Sequence, residues 1–152
     1  MSTAHVRVQR ELHIAAPAEI VFRMFTPKGE ELWIDAWRPQ YIRPEDGATV
    51  CGMVFLTGEE PEQTIWQMLE FDSARLRSVY ARTTPGLRVG TVTVEVQSSG
   101  ASMCSVRICY DMTALTDGPV LEPYLDPSFD AMVEDWGTAI RDRLPMLIEA
   151  LG

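Results

Sequence analysis

Four side chains in the middle of the chain have the chemistry to bind or activate an oxygen-bearing ligand: Glu70, Tyr80, Arg82 and Tyr110. Arg82 has the same strand parity as Tyr80, so on one concave face the two could hold a carboxylate or phenolate oxygen by charge-assisted hydrogen bonds. Tyr110 carries a hydroxyl group that a buried site must satisfy through protein, water or ligand. We predict Tyr80, Arg82 and Tyr110 as polar anchors of a binding site. The alternative for Arg82 is a solvated arginine at a strand end.

Glu70 is the candidate proton donor or acceptor of this group, and Tyr80, Arg82 and Tyr110 complete the candidate catalytic set. Glu70 has the parity of Trp66 on the same strand. If that face were the concave one, a desolvated Glu70 would have a raised pKa and could act as an acid or a base. The alternative is that Glu70 faces water. The strand has apolar residues on both faces, so its alternation does not decide between the two.

Aromatic residues and methionines recur in every predicted element that would surround a cavity. Such side chains with a few polar tips suit a site for an apolar ligand, and the eight methionines add adaptable surface. For each of them, filling of the core is the competing interpretation. The predicted ligand-binding residues are Trp33, Trp37, Phe55, Trp66, Tyr80, Arg82, Tyr110, Met112, Phe129, Met132 and Trp136.

Several classes of function lack the residues that they need. His5 and His13 are the two histidines, and they lie roughly 26 Å apart on the outward face of one predicted strand. They therefore cannot share a metal ion, and neither should serve a Ser–His–Asp or Cys–His site in a cavity. No glycine-rich phosphate motif is present, so we predict neither a metal nor a cofactor. The net charge of −9 disfavours a nucleic-acid partner, because phosphate binding needs a basic patch.

The cysteines and the hydropathy pattern bear on the cellular compartment. The chain has three cysteines without a CxxC pair, which predicts free thiols in a reducing, cytoplasmic environment. The first residues mix charged and apolar positions, so we expect no secretory leader. No uncharged apolar stretch approaches the length of about 18 residues that a membrane span needs.

The candidate residues need elements that bring them together. Alternation over residues 5–14 predicts a half-buried strand, in which Arg10 interrupts the inward apolar face. We interpret Arg10 as an edge position whose guanidinium reaches water, or else as a charge in a cavity. Pro17 and the pair Thr26-Pro27 then predict two short helices that form a V. About six further strands with short turns follow between residues 41 and 115, as in an antiparallel meander.

A long amphipathic helix is predicted to end the chain. Asp126 is its expected N-cap, with Pro127 in the first turn, and apolar residues recur at three- and four-residue steps. Pro145 is expected to bend the helix near residues 141–144. Because this helix is the only long amphipathic element, it must cover the concave face of the sheet. We predict one α+β domain over 1–152, with a curved antiparallel sheet of six to seven strands and a cavity beneath the helix.

Eight segments of the chain together resemble one superfamily in their order and spacing: IAAPAEIVFRMFTP, GEELWIDAW, YIRPEDG, GMVFLTG, TIWQMLEFD, RVGTVTVEV, VRICYDMTAL and MVEDWGTAIRDRL. The chain resembles the START-like, or SRPBCC, superfamily, and within it small bacterial members. Its helix-grip fold includes polyketide cyclase-like proteins, the birch-pollen-allergen family and the Aha-type chaperone activators. The resemblance implies a cavity for an apolar ligand, and it does not imply a particular reaction.

Three functions are compatible with this resemblance. The first is binding of a small hydrophobic molecule, such as a lipid, an aromatic or a polyketide-like metabolite, between the sheet and the last helix. The second is a cyclase or dehydratase that uses acid–base chemistry in the same cavity, with Arg82 stabilising an enolate. The third is an interaction module like the chaperone activators, which would show a large exposed apolar patch. Both a monomer and a homodimer through an exposed strand edge are compatible with the sequence.

Overall fold

Seven strands and two groups of helices make up the protein in a computed structural model, which describes residues 4–152. The elements are β1 (His5–Ile14), α1 (Ala18–Met24), α2 (Pro27–Glu30), β2 (Gln40–Arg43), β3 (Val54–Thr57), β4 (Thr64–Asp72), β5 (Arg77–Thr84), β6 (Arg88–Gly100), β7 (Met103–Ala114), α3 (Ser128–Asp142) and α4 (Leu144–Leu151), with a 3-10 turn at Glu122–Tyr124. None of these helices is long and apolar enough to cross a bilayer.

The strands form one curved antiparallel sheet in the order β1-β7-β6-β5-β4-β3-β2. From β3 to β7 each strand pairs with the next one in the chain, because the turns that join them are short. β1 joins the far edge beside β7, and the short β2 is the opposite edge. The predicted α+β class and helix-grip architecture are confirmed.

Rows of inward side chains cross the sheet and build its concave face. In one row Phe55 is opposite Trp66, which is opposite Arg82. Arg82 is in turn opposite Gly90, and Gly90 is opposite Met112. Because neighbouring strands pair in register, residues far apart in the sequence become neighbours on one face. The alternation predicted for β1, β6 and β7 holds, since their inward valines, leucines and isoleucines are buried or partly buried.

Two short helices follow β1 with a break at Thr26, as predicted, and this pair of helices, α1 and α2, is called the V below. The Thr26 hydroxyl accepts a hydrogen bond from the Gly29 amide at 3.0 Å, and Pro27 occupies the first turn of α2. Both features are favourable at a helix N-terminus, because they satisfy or remove amide groups that have no partner within the helix. The first helix differs in one detail: Pro17 is its N-cap and provides no side-chain cap.

The C-terminal segment forms two helices where one bent helix is predicted. α3 ends at Asp142, and α4 begins at Leu144 with Pro145 in its first turn. Proline cannot donate the amide hydrogen bond that would continue α3, so the interruption falls where the bend is expected. The Gly137 position of α3 lies close to β1, where an added Cβ would be 3.2 Å from Leu12 Cδ2.

Arg10 explains why the predicted N-cap of the last helix is wrong. Its guanidinium donates to Asp126 at 2.6 Å and also to Asp130 in the first turn of α3. Asp126 is therefore engaged by β1, and Pro127 is the N-cap, without a side-chain cap. Arg10 also lies over the Phe129 ring, 5.7 Å from its centroid, with 30% of its side chain exposed. The residue ties the start of α3 to β1 and does not border the cavity described below.

Candidate functional site

A cavity of about 550 Å³ lies between the concave face of the sheet, the α2 region and α3. This volume is in the range of small-molecule sites. The exposed Ala36, Arg38, Gly58 and Glu59 mark where the cavity opens to solvent. The other lining residues are Phe25, Pro27, Glu30, Ile34, Trp37, Phe55, Thr57, Trp66, Tyr80, Arg82, Val92, Val94, Ile108, Tyr110, Met132 and Trp136.

Four aromatic rings form one continuous wall of the cavity. Phe55 and Trp66, which are opposite each other on β3 and β4, stack at 5.6 Å between ring centroids with an interplanar angle of 7°. Trp37 meets both of them edge-on, at 5.9 and 5.7 Å. Tyr80 meets the Trp66 ring edge-on at 5.9 Å. Stacked and edge-to-face contacts of this kind hold the rings in fixed orientations and leave an apolar surface for a flat ligand.

Carbonyl groups at the junction of α1 and α2 hold three of the surrounding aromatic side chains. The indole N–H of Trp33 donates to the Met24 carbonyl at 2.8 Å, and that of Trp37 donates to the Pro27 carbonyl at 2.9 Å. The Tyr80 hydroxyl donates to the Phe25 carbonyl at 3.1 Å. Carbonyl groups at a helix end lack partners within the helix, so these side chains satisfy them and fix the V against the sheet. A third indole, that of Trp66, donates to the Thr57 hydroxyl at 2.8 Å.

Arg82 brings a positive charge into this aromatic wall. Its guanidinium carbon lies 4.6 Å from the centroid of the Trp66 ring, and 5.7 and 6.0 Å from those of Tyr124 and Tyr110. The Nε–H group is buried without a hydrogen-bond partner in the described part of the chain. Arg82 also makes no ion pair with a carboxylate of residues 4–152. A charged donor without an acceptor is costly in an apolar site, so the side chain is suited to an acceptor that comes from outside.

The two predicted tyrosines have different surroundings. Tyr80 has a protein partner for its hydroxyl, and burial together with the negative charge of Glu30 raises its pKa. Tyr110 stacks on Tyr124 at 5.4 Å, and its hydroxyl oxygen lies beside the Arg82 guanidinium, which can donate to it. Burial raises the pKa of Tyr110, against the opposing effect of the nearby Arg82 charge. Both hydroxyls therefore stay protonated at neutral pH, and Tyr110 is free to donate a hydrogen bond into the cavity.

Glu30 is a cavity residue that the sequence interpretation missed. Its side chain borders the cavity, and no residue in the range 4–152 donates a hydrogen bond to its carboxyl group or pairs with it. Enclosure by the surrounding protein raises the pKa of Glu30 well above its ordinary value, although the cavity leaves the residue partly accessible. A carboxyl group with a raised pKa can serve as a proton donor as well as a proton acceptor.

Solved structures with the same architecture cover nearly the whole chain. Norcoclaurine synthase from Thalictrum flavum matches with a TM-score of 0.66 and 16% identity, over 91% of this chain and 88% of that protein. The Zhui aromatase/cyclase from Streptomyces sp. R1128 matches with a TM-score of 0.65 and 13% identity, over 93% and 96%. The chain therefore shares the helix-grip fold of these proteins. At these identities, the likeness is one of fold.

Two further matches complete the comparison of helix-grip structures. A structural-genomics protein from Rhizobium leguminosarum matches with a TM-score of 0.69 and 13% identity, over 93% of this chain and 97% of that one. A second structure of norcoclaurine synthase, in complex with dopamine and hydroxybenzaldehyde, matches with a TM-score of 0.63 and 16% identity, over 93% and 89%. No model of a protein family and no curated protein sequence matches the chain.

Glu70, the predicted acid or base, lies on the outer face of the helix-grip sheet. The register of β4 shifts between Met68 and Glu70, so the inward alternation that includes Met68 passes to Phe71. The Glu70 carboxylate accepts from Arg77 Nε at 3.0 Å, and the same guanidinium binds Glu95 at 2.8 Å. The alternative, in which Glu70 faces water, is therefore the correct one. A β-bulge inserts one extra residue, so the side chains after it lie on the opposite face of the sheet from the one that alternation predicts. The position of a bulge cannot be found from alternation alone.

Eight of the eleven predicted ligand-binding residues border the cavity, and Trp33, Met112 and Phe129 do not. All three are buried in the core behind the cavity wall. Met112 fills the space over Gly90, where an added Cβ would be 2.6 Å from its Sδ atom. Phe129 packs edge-on against Tyr110 at 5.4 Å, and its other side is covered by Arg10. For these three residues, filling of the core is the correct interpretation.

Proposed function

We propose that the protein binds a small, flat, mainly apolar molecule that carries an anionic or strongly hydrogen-bond-accepting oxygen. The observation that carries this proposal is the Arg82 guanidinium, which borders an aromatic cavity with a buried Nε–H group that has no acceptor and with no carboxylate partner from residues 4–152. The aromatic wall of Trp37, Phe55 and Trp66 would cover the apolar part of the ligand. The charged terminal N–H groups of Arg82, with the Tyr110 hydroxyl beside them, would receive its oxygen.

The likeness to other helix-grip proteins supports this class of ligand. Norcoclaurine synthase has been captured with dopamine and hydroxybenzaldehyde, which are small aromatic molecules with oxygen substituents. The second similar enzyme is an aromatase/cyclase. A fold of this kind can therefore enclose small aromatic compounds. The lining of this particular cavity, and above all its unpaired arginine, is what leads us to an anionic or carbonyl oxygen.

Tryptophan fluorescence with defined probes tests the proposal, because Trp37, Trp66 and Trp136 border the cavity. We expect 2-naphthoate to bind, and the variant Arg82→Gln to bind it about 10- to 100-fold more weakly, since a hydrogen bond to a charged group contributes about 1.5–3 kcal/mol. Naphthalene, which has no oxygen, should bind both proteins within threefold. Arg75→Gln is the matched control, because Arg75 is exposed in the turn before β5.

Native mass spectrometry of the purified protein provides a second test that needs no chosen probe. A stoichiometric small molecule, released on denaturation and bearing an acidic or carbonyl oxygen, would support the proposal. Equal affinity of wild type and Arg82→Gln for 2-naphthoate would contradict the role of Arg82. If neither an adduct nor any fluorescence change is found, the cavity is not a binding site, and a protein partner becomes the leading alternative.

A further inference from the structure

Glu30 and Arg82 are two ionisable groups that border one cavity, and neither makes an ion pair in the described part of the chain. Two other arginines of the fold make ion pairs: Arg10 with Asp126 and Asp130, and Arg77 with Glu70 and Glu95. Opposite charges that share an apolar cavity without pairing leave room for a ligand between them. Buried polar groups without partners cost stability, and they persist at sites where a ligand uses them.

Local structure fixes Glu30 toward the cavity. The Glu30 amide donates to the Thr26 carbonyl at 2.9 Å, and the Glu30 carbonyl accepts from the Ile34 amide at 2.9 Å. Glu30 and Ile34 are therefore one helical turn apart and share a face, which borders the cavity. The adjacent Glu31 points elsewhere, because its carboxylate accepts a hydrogen bond from the Tyr41 hydroxyl.

The groups that face Glu30 come from three strands of the sheet. Its negative charge contributes to the raised pKa values of Tyr41 on β2, Tyr80 on β5 and Tyr110 on β7. Arg82, on the face of Tyr80 and about 7 Å further along β5, contributes the positive charge. Because Glu30 and Arg82 both line the cavity, a ligand that fills it would contact the two groups together.

We propose that Glu30 is the catalytic acid–base group of this cavity, acting on a carbon acid: a flat cyclic ketone whose carbonyl oxygen is bound by Arg82. The inference rests on the proposed function, because the same arginine must first receive the ligand oxygen. It goes further, since it assigns the cavity a reaction and identifies the group that carries out the proton transfer.

The reaction needs no cofactor and no second substrate. The Glu30 carboxylate removes a proton from the carbon next to the carbonyl group. The electron pair of that C–H bond forms a C=C bond, and the π pair of the carbonyl moves to oxygen, giving an enolate that the Arg82 N–H groups stabilise. The protonated Glu30 then returns a proton to carbon and restores the ketone. In D2O, Glu30 exchanges its proton with solvent through the cavity opening, so deuterium accumulates in the ketone.

Deuterium exchange into 2-tetralone tests this step directly. Proton NMR follows loss of the signals next to the carbonyl, and tryptophan fluorescence measures binding in the same samples. We expect wild-type protein to accelerate the exchange over buffer, and Glu30→Gln to lose at least 100-fold of that acceleration, the range of general acid–base catalysis. Its dissociation constant for 2-tetralone should stay within threefold. The wild-type rate should rise with pH as Glu30 ionises, and Glu30→Gln should lack this rise.

Glu31→Gln is the matched control, because Glu31 follows Glu30 directly and bonds to Tyr41 outside the cavity lining. It should retain the wild-type exchange rate. Binding of 2-tetralone with exchange that does not depend on Glu30 would overturn the inference and leave the binding proposal intact. Binding of 2-naphthoate without binding of 2-tetralone would show that the carbon-acid class is wrong. If neither probe binds, the proposed function fails together with the inference.

Discussion

Gly29 is the residue that allows α2 to turn Glu30 into the cavity. A Cβ atom at this position would lie 1.9 Å from the Arg23 carbonyl oxygen and 3.0 Å from the carbonyl carbon of Met24. Both neighbours are backbone atoms of α1, which cannot move aside as the end of a side chain can. The close approach of α2 to α1 therefore requires glycine, and the cap at Thr26 depends on the same amide group.

The variant Gly29→Ala tests this requirement. We expect it to lower the free energy of unfolding by about 1–3 kcal/mol, the usual cost of overpacking, because the added methyl group must push α2 away from α1. Urea unfolding followed by tryptophan fluorescence measures the change. Gly100→Ala is the control, since its added Cβ would meet only Met103 at 4.0 Å. Equal stability of the two variants would show that the α1–α2 contact adjusts freely.

Two glutamates show what residue type and position can predict about the site. Glu70 is next to tryptophan and methionine in a strand, which makes it a reasonable candidate, yet Arg77 holds it on the outer face. Glu30 is in a short helix after proline and lysine, where a glutamate is normally solvated. The signal that could have found it is its helical spacing of four from Ile34. That signal becomes informative only once the V of α1 and α2 is known to cover the sheet.

Among the elements, regular alternation predicted the facing of β1, β6 and β7, and β6 and β7 contribute Val92, Val94, Ile108 and Tyr110 to the cavity wall. The strand β4 was ambiguous because Ile65 and Leu69 are apolar yet exposed, at 41% and 49%. Its bulge then changes the facing at Glu70. The last helices were predicted in place, but the apolar stripe of α3 serves two surfaces. Met132 and Trp136 border the cavity. Val133 and Gly137, which follow them directly in the sequence, are buried, and Gly137 lies close to Leu12 of β1.

Arg88 joins four segments at the end of the sheet beyond Arg82. Its buried guanidinium donates to the Val120 carbonyl at 2.6 Å, to Glu62 at 2.8 Å and to the Thr84 hydroxyl at 3.3 Å. These contacts connect the start of β6 to the loop before β4, the end of β5 and the segment after β7. That last segment carries Tyr124, which stacks on Tyr110. A buried arginine of this kind is stable only while its acceptors remain in place.

Stability should therefore depend on the ionisation of Glu62. The hydrogen bond from Arg88 lowers the pKa of Glu62 in the folded protein. The resulting stabilisation is complete above the ordinary glutamate pKa of about 4.3, and it is lost as the pH falls through the lower folded value. At pH 7 we expect Glu62→Gln to lower the free energy of unfolding by about 1 kcal/mol, because the glutamate side chain is largely exposed.

Urea unfolding at pH 7 and at about pH 3 measures this dependence. The difference between wild type and Glu62→Gln should shrink as the pH falls below the ordinary glutamate pKa, and it should approach zero once the pH has passed through the lowered pKa of folded Glu62. The control is Glu60→Gln, because Glu60 is exposed in the same loop and makes no ion pair with residues 4–152. A difference that is the same at both pH values would show that Glu62 acts through packing and not through its charge.

At the scale of the whole molecule, the cavity lowers the stability of the folded protein. Close packing is the rule inside proteins, and space without contacts forfeits dispersion energy on all of its walls. Here a single helix, α3, and a short V of helices cover a wide concave sheet, and the covering falls short of filling it. Norcoclaurine synthase and the Zhui aromatase/cyclase, which are different enzymes, share this architecture. The side chains that line the gap, and not the fold, therefore determine what each protein binds.

Filling the cavity should raise stability and remove binding. Val92 borders the cavity on β6, opposite Tyr80 on one neighbouring strand and Tyr110 on the other. We expect Val92→Phe to raise the free energy of unfolding by about 0.5–2 kcal/mol, the usual gain from filling a cavity. The same variant should weaken 2-naphthoate binding at least tenfold, because the new ring occupies the space between the polar anchors. Urea unfolding and fluorescence titration measure the two effects.

A rise in stability together with weaker 2-naphthoate binding in Val92→Phe distinguishes a binding cavity from loose packing. Val79→Phe is the matched control: Val79 neighbours Tyr80 on β5 but has the outward parity, outside the cavity lining. It should leave the affinity for 2-naphthoate unchanged. A Val92→Phe protein that loses stability while binding normally would mean that the walls already meet around Val92. Gain of stability with loss of binding is expected only if the molecule keeps this space open for a ligand.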